Sequence, residues 1–140
     1  IRGFARLTAE SPVPIATGEA ESRLEDFERL VLEGGLDWIQ PDPARCGIST
    51  MVQVGRMAHR HHARVVNHSF KSGLTIAASL HALACVPHGE VFEFCMTDSP
   101  LRHDLTHETF EVVDGYVTVP DGPGLGVTVN EETVEKYRTH

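Results

Sequence analysis

Four polar residues recur along this chain, each closing a short apolar stretch: Glu19, Asp42, His68 and Glu93, separated by 23, 26 and 25 residues. Carboxylates and an imidazole are groups that move protons and hold hard cations. A carboxylate such as Asp42 beside an imidazole such as His68 fixes its tautomer and raises its basicity, which makes a histidine a useful general base near neutral pH. Glu19 and Glu93 need different tasks. A hard cation such as Mg²⁺ prefers carboxylate oxygens, so one of the two could be a ligand. A carboxylic acid kept protonated could instead donate a hydrogen bond to a developing enolate. Taken singly, each of the four is more ordinarily a capping or solvated loop residue. Four in phase favour a shared site.

The elements that must position them form a βα repeat. A helix over Ile1 to Glu10 precedes a first strand, Val13 to Thr17. A helix from Ser22 follows, with Leu24, Phe27, Leu30 and Val31 at helical spacing and Gly34-Gly35 as its stop. A second strand, Asp37 to Gln40, leads through a loop, Pro41 to Ser49, to a helix with Met51, Val54, Met57 and Ala58 on one face. Ala63 to Val66 is the third strand. After a loop containing Gly73 comes a mostly apolar, buried helix from Leu74 to Cys85, then a fourth strand, Val91 to Phe94. In a parallel barrel the C-terminal strand ends converge on one face, so residues one βα unit apart meet around one pocket. Beyond this, Phe110 to Val113 and Tyr116 to Val119 flank Asp114-Gly115 as a two-residue hairpin. A turn-rich stretch, Asp121 to Gly126, and a helix from Glu131 to Tyr137 with Asn130 as N-cap complete the chain.

Composition narrows the function classes. The chain has 140 residues, is 41% hydrophobic and 23% charged, and carries a formal charge of -8, the profile of a globular domain. Its 12 Lys and Arg are scattered, which argues against nucleic acid or an anionic membrane as partner. No apolar run approaches the roughly 18 residues of a membrane span, and Ile1-Arg2-Gly3 begins no signal pattern, so a cytoplasmic location is expected. Cys46, Cys85 and Cys95 are odd in number without CxxC spacing, which suggests reduced thiols rather than a disulfide or zinc framework. His59-Arg60-His61-His62 reads as a cationic helix end rather than a metal site, and His81 as a packed core histidine. Cys95 reads as a small buried residue rather than a nucleophile, and the Gly122 to Gly126 stretch lacks phosphate-loop spacing.

Several strings carry a resemblance: Val13-Pro-Ile-Ala-Thr-Gly-Glu19; Trp38-Ile-Gln-Pro-Asp42-Pro-Ala-Arg-Cys-Gly-Ile-Ser-Thr50; Val65-Val-Asn-His68-Ser-Phe70; Phe92-Glu93-Phe94; and Asp121-Gly-Pro-Gly-Leu-Gly126. In this order they resemble successive barrel strands of the mandelate racemase group of the enolase superfamily, in the mandelate racemase/muconate lactonizing enzyme family. The resemblance implies an α/β fold: the C-terminal half, strands five to eight, of a modified TIM barrel, (β/α)7β, plus a C-terminal hairpin and helix. Residues 1–109 would be barrel, and residues 110–140 would pack back toward a capping domain that lies outside this chain.

The resemblance also implies roles. Glu19 looks like the third of three Mg²⁺ carboxylates, Asp42 and His68 like the general-base dyad, and Glu93 like an acid that hydrogen-bonds a substrate carboxylate oxygen. The departure is Cys46-Gly47, where many relatives carry Gly-Gly, which touches local substrate contacts. The capping domain, barrel strands one to four, the other two metal carboxylates and the Lys-bearing motif of strand two are absent. The chain also opens without Met, inside a helix, and looks like a piece of something longer. Half a barrel exposes strand edges and an apolar interior, so the remainder of the same enzyme is an expected partner, with a homo-oligomer as the assembly. The implied activity is removal of the proton alpha to a carboxylate through an enediolate. Dehydration of an acid sugar is favoured, with racemisation or epimerisation of a 2-hydroxy acid as the alternative. A non-catalytic barrel-derived binding module is the contrasting class, and it would be expected to have lost members of the polar set.

Overall fold

The computed structural model describes residues 1–139 of the chain. Helix α1, Arg2–Glu10, leads into strand β1, Ala16–Thr17, and helix α2, Leu24–Leu32. Strand β2, Trp38–Ile39, is followed by two helices, α3, Pro43–Cys46, and α4, Ile48–Arg60. Strand β3, Arg64–Val65, leads into α5, Gly73–Ala84, then α6, Pro100–His103, and α7, Glu131–Lys136. The strands pair in parallel in the order β1-β2-β3, with Ala16 opposite Trp38 and Trp38 opposite Arg64. This is the expected βα repetition.

Each strand is shorter than its apolar run, but the ladder continues past its ends. Gln40 N–H donates to Thr17 O at 2.9 Å, Val66 N–H to Ile39 O at 3.1 Å and His68 N–H to Pro41 O at 3.0 Å. The backbone is thus held in parallel register as far as His68, which matters more for the site than the strand boundaries.

The helices cover the sheet with the faces their periodicity implied. Phe27, Leu30 and Val31 of α2 and Met51, Val54, Met57 and Ala58 of α4 are buried with Ile39 and Val65 of the sheet and Ala82 and Leu83 of α5. Gly35, at φ +67°, closes α2 in the left-handed conformation that glycine adopts without cost. Gly55 allows α4 to approach Val86, since a Cβ there would lie 2.9 Å from that side chain.

Three expectations need correcting. The fourth strand, Val91 to Phe94, forms no backbone ladder; among the described residues the sheet has three strands. Asn67, fully buried, replaces the ladder with its side chain: its amide donates to Glu93 O at 3.0 Å and its carbonyl accepts from Glu93 N–H at 2.8 Å. The segment from Pro41 to Ser49 is not all loop, because Pro43 sits at the first turn of α3 and Asp42 caps it. The hairpin shrinks to one bridge between Val113 and Tyr116, closed by Asp114 at φ +52° and Gly115 at φ +83°, the two positive values a type I′ turn needs.

The C-terminal segment folds onto its own chain. Asn130 N–H donates to Leu105 O and His107 N–H to Thr128 O, with Thr106 bridging Val129. His81, expected as a packed core histidine, ties α5 to this segment through Nε2 at 3.2 Å from Leu125 O. Asn130 caps α7 as expected, accepting from Glu132 N–H and Thr133 N–H. Val113 and Tyr116 at the hairpin tip remain 62% and 79% exposed. Among the described residues no helix is long and apolar enough to cross a membrane.

Candidate active site

All four predicted residues leave the same end of the parallel sheet. Glu19 follows β1 by two residues, Asp42 follows β2 by three and His68 follows β3 by three, while Glu93 is pinned beside Asn67 at the end of β3. Gly18 shapes the first of these exits. Its φ is +134°, and a Cβ there would lie 3.1 Å from Gln40 N and 3.2 Å from Ile39 Cδ1, so a side chain would push β1 off β2. Glu19 is exposed, with Oε2 accepting from Gly18 N–H at 3.1 Å.

Asp42 is 1% exposed, and every hydrogen bond to it is therefore consequential. Its Oδ1 accepts from Ala44 N–H at 2.8 Å as the cap of α3, and its Oδ2 accepts from Lys71 Nζ at 2.7 Å. His68 Nδ1 faces the same Oδ2 at 3.6 Å, too long for a hydrogen bond, and is buried without a partner. The structure therefore brings Asp42 and His68 together but does not close the expected hydrogen bond between them. Asp42 is instead occupied by a helix cap and a lysine. The His68 ring packs against Phe70 at 4.9 Å between centroids.

Glu93 is half-buried, with Oε2 enclosed and unpaired. Burial pushes its carboxyl above the ordinary Glu range, the neighbouring His68 pulls it back, and the Glu19 carboxylate pushes it up again. Glu93 thus lies close enough to both His68 and Glu19 to feel their charges. The fold favours the neutral acid. A raised carboxyl contributes stability that is fully present below the unfolded value and lost as pH rises through the folded one. Glu93→Gln is accordingly expected to remove this dependence: wild type should lose stability relative to the variant as pH rises above the ordinary Glu value of about 4.3. Urea denaturation of the full-length protein at about pH 4 and near neutral pH checks it; parallel curves would contradict the burial of this carboxyl.

Sequence reasoning missed Asn67 and Lys71. The signal for Asn67 was a polar residue inside a buried strand end, which must find partners for both halves of its amide. For Lys71 it was a cation three residues beyond His68 in the loop that feeds the pocket. Cys95, at 2% exposure, is the small buried residue expected. Cys46 is also unsuited to be a nucleophile, since burial pushes its thiol up to about 11. The histidines at the end of α4 lie at the opposite end of the sheet, where His59, His62 and His88 line an open cleft of about 570 Å³ with Arg60 and Arg64.

Parallel βα units whose polar residues gather at the C-terminal strand ends define a portion of a TIM-type barrel, with its pocket at the usual face. Residues 1–133 match the family described as enolase C-terminal domain-like, and the chain belongs to it, as the barrel's C-terminal half in the mandelate racemase/muconate lactonizing enzyme branch. It is 33% identical over 96% of its length to D-galactarolactone cycloisomerase of Agrobacterium fabrum, spanning 38% of that protein. It is 32% identical over 94% of its length to L-talarate/galactarate dehydratase of Salmonella typhimurium, spanning 31% of that one. An enolase-superfamily structure from a Polaromonas species superposes with a TM-score of 0.90 at 34% identity, covering 99% of this chain and 38% of the other. The chain therefore spans between 31% and 38% of the length of these relatives.

Proposed function

We propose that this chain supplies the second half of the barrel of a Mg²⁺-dependent enzyme that removes the proton alpha to a substrate carboxylate, and that the outcome is dehydration of an acid sugar. The observation that carries the reading is the meeting of a buried carboxylate, Asp42, and a base with an enclosed Nδ1, His68, 3.6 Å apart at the C-terminal strand ends.

Glu19 fits one position in the shell of a hard cation: it is an exposed carboxylate two residues past a strand end, close enough to Glu93 for its charge to be felt there. Among the described residues no three His, Cys, Asp or Glu side chains gather closely enough to hold an ion alone, so the other carboxylates would come from outside this chain. A cation bound there supplies counter-charge for the negative charge that develops on the substrate carboxylate. His68 takes or returns the alpha proton at Nε2, the nitrogen turned away from Asp42. Asp42 orients the ring and stabilises its protonated form. Glu93, whose burial favours the protonated form, donates a hydrogen bond to a substrate carboxylate oxygen. Loss of the beta hydroxyl, assisted by an acid, then gives a 2-keto-3-deoxy acid.

Dehydration is supported by relatives named arabinonate, D-galactonate and L-talarate/galactarate dehydratases, at 30%, 31% and 32% identity. A second reading, opening of a sugar-acid lactone, is favoured by the 33% identity to D-galactarolactone cycloisomerase, and it starts from the same proton removal. The remaining partners are a small carboxylate substrate and the rest of the enzyme, including a capping domain against which residues 110–140 and the exposed Val113 and Tyr116 would pack.

The full-length enzyme offered arabinonate, galactonate, galactarate and galactarolactone with Mg²⁺ is expected to form a 2-keto-3-deoxy acid, to stop in excess EDTA and to recover when Mg²⁺ is restored. Full turnover in EDTA would remove the metal role. Consumption of the lactone alone would transfer the assignment to the second reading.

A further inference from the structure

Asp42 Oδ2 is claimed from two sides, and the lysine holds it. Lys71 Nζ lies 2.7 Å away while His68 Nδ1 stands off at 3.6 Å with no other partner. An ionised oxygen can accept two donors, so capacity does not explain the separation. Geometry does, because the other oxygen is fixed by Ala44 N–H and the carboxylate cannot turn without uncapping α3. The loop around Lys71 is fixed as well: His68 N–H is tied to Pro41 O, and Ser72 caps α5 by accepting from Thr75 N–H, with Thr75 Oγ1 accepting from Ser72 N–H in return. Only the lysine side chain, 51% exposed against 2% for Asp42, is free to move.

We propose that Lys71 is a positioning residue of the dyad: by holding Asp42 Oδ2 it divides the carboxylate's charge between an ammonium and the imidazole and so sets the base strength of His68. The inference rests on the reading of Asp42 and His68 as the proton-moving pair. A free Asp42 would make the imidazole a stronger base, more often protonated and idle at neutral pH, whereas a shared one keeps more of it neutral and ready to accept. The charged groups around His68 are Asp42 from the end of β2, Lys71 from its own loop, Glu93 from the segment beyond α5 and, behind Glu93, Glu19 from the end of β1. Of these, Lys71 alone brings positive charge, and it acts through Asp42.

The test follows the His68 imidazole by NMR in the full-length, Mg²⁺-loaded enzyme with labelled histidine, its signal assigned by loss in His68→Asn. Lys71→Met is expected to raise the titration midpoint by roughly 0.5–1 pH unit, less than the full effect of a neighbouring charge because the lysine acts through Asp42. Lys71→Arg, which keeps the cation, should stay near wild type. In an Asp42→Asn background, Lys71→Met should shift the midpoint by less than half as much. An unmoved midpoint in Lys71→Met, or an undiminished shift in the Asp42→Asn background, overturns the proposal. Alpha-proton exchange separates the two readings: exchange with an unmoved midpoint sinks the role of Lys71 alone, whereas a shifted midpoint without exchange on any acid sugar sinks the assigned reaction.

Discussion

His68→Asn is expected to lower exchange of the substrate alpha proton with solvent deuterium by about 10² to 10⁴, on the face that His68 serves, the usual range for loss of a general base. Asparagine retains a polar group of similar reach but accepts no proton near neutral pH. Mg²⁺ affinity should stay nearly unchanged, because the proposed ligand, Glu19, leaves β1 while His68 leaves β3, two strands away. The ladder bond from His68 N–H to Pro41 O belongs to the backbone and survives the substitution. Isothermal titration with Mg²⁺ alongside exchange measured by NMR separates the two effects. Exchange at the wild-type rate, or loss of metal affinity in its place, would show that His68 is not the base.

The largest effect on stability is expected at Phe27. It is fully buried on α2 among Leu30, Ile39 and Val54, where α2 meets both α4 and the sheet. Removing an aromatic ring from such a position costs about 3–5 kcal/mol through lost burial and the cavity left behind. Phe27→Leu, which nearly conserves volume, should cost less than about 1.5 kcal/mol. Urea denaturation of the full-length enzyme with both variants measures the difference. A loss below about 1 kcal/mol for Phe27→Ala would mean that this face of α2 is not packed as described.

Much of the architecture was legible because it is periodic. The faces of α2 and α4 followed from Leu24, Phe27, Leu30 and Val31 and from Met51, Val54, Met57 and Ala58, since burial on one side of a helix enforces that spacing. The burial of α5 was legible for a different reason, since a helix apolar nearly all round has no face to give to water. The strand-end residues were legible from a second period, that of the βα unit, which is visible without any knowledge of contacts. What escaped was set by groups that do not repeat. Asn67 replaces the fourth strand's ladder through two side-chain hydrogen bonds, and no pattern of apolar residues encodes a single amide. The grip of Lys71 on Asp42 joins residues 29 positions apart on different loops. A carboxylate and an imidazole one βα unit apart read as a pair; a third group that competes for the carboxylate becomes visible only in three dimensions.

Asn67 holds Glu93 at one point rather than along a strand. A backbone ladder zips several residues at once, so adding or removing one residue ahead of it shifts every side chain to the other face. A pin leaves the approach free. Val86 is held against Gly55 of α4, but the connection beyond it, residues 87 to 90, can change length without carrying the carboxylate away, provided the Glu93 main chain still meets the Asn67 amide. This turn lies at the end of the sheet away from the polar strand ends, beside His59, His62 and Arg64, so a change of length there is taken up far from the acid group while Asn67 keeps that group anchored.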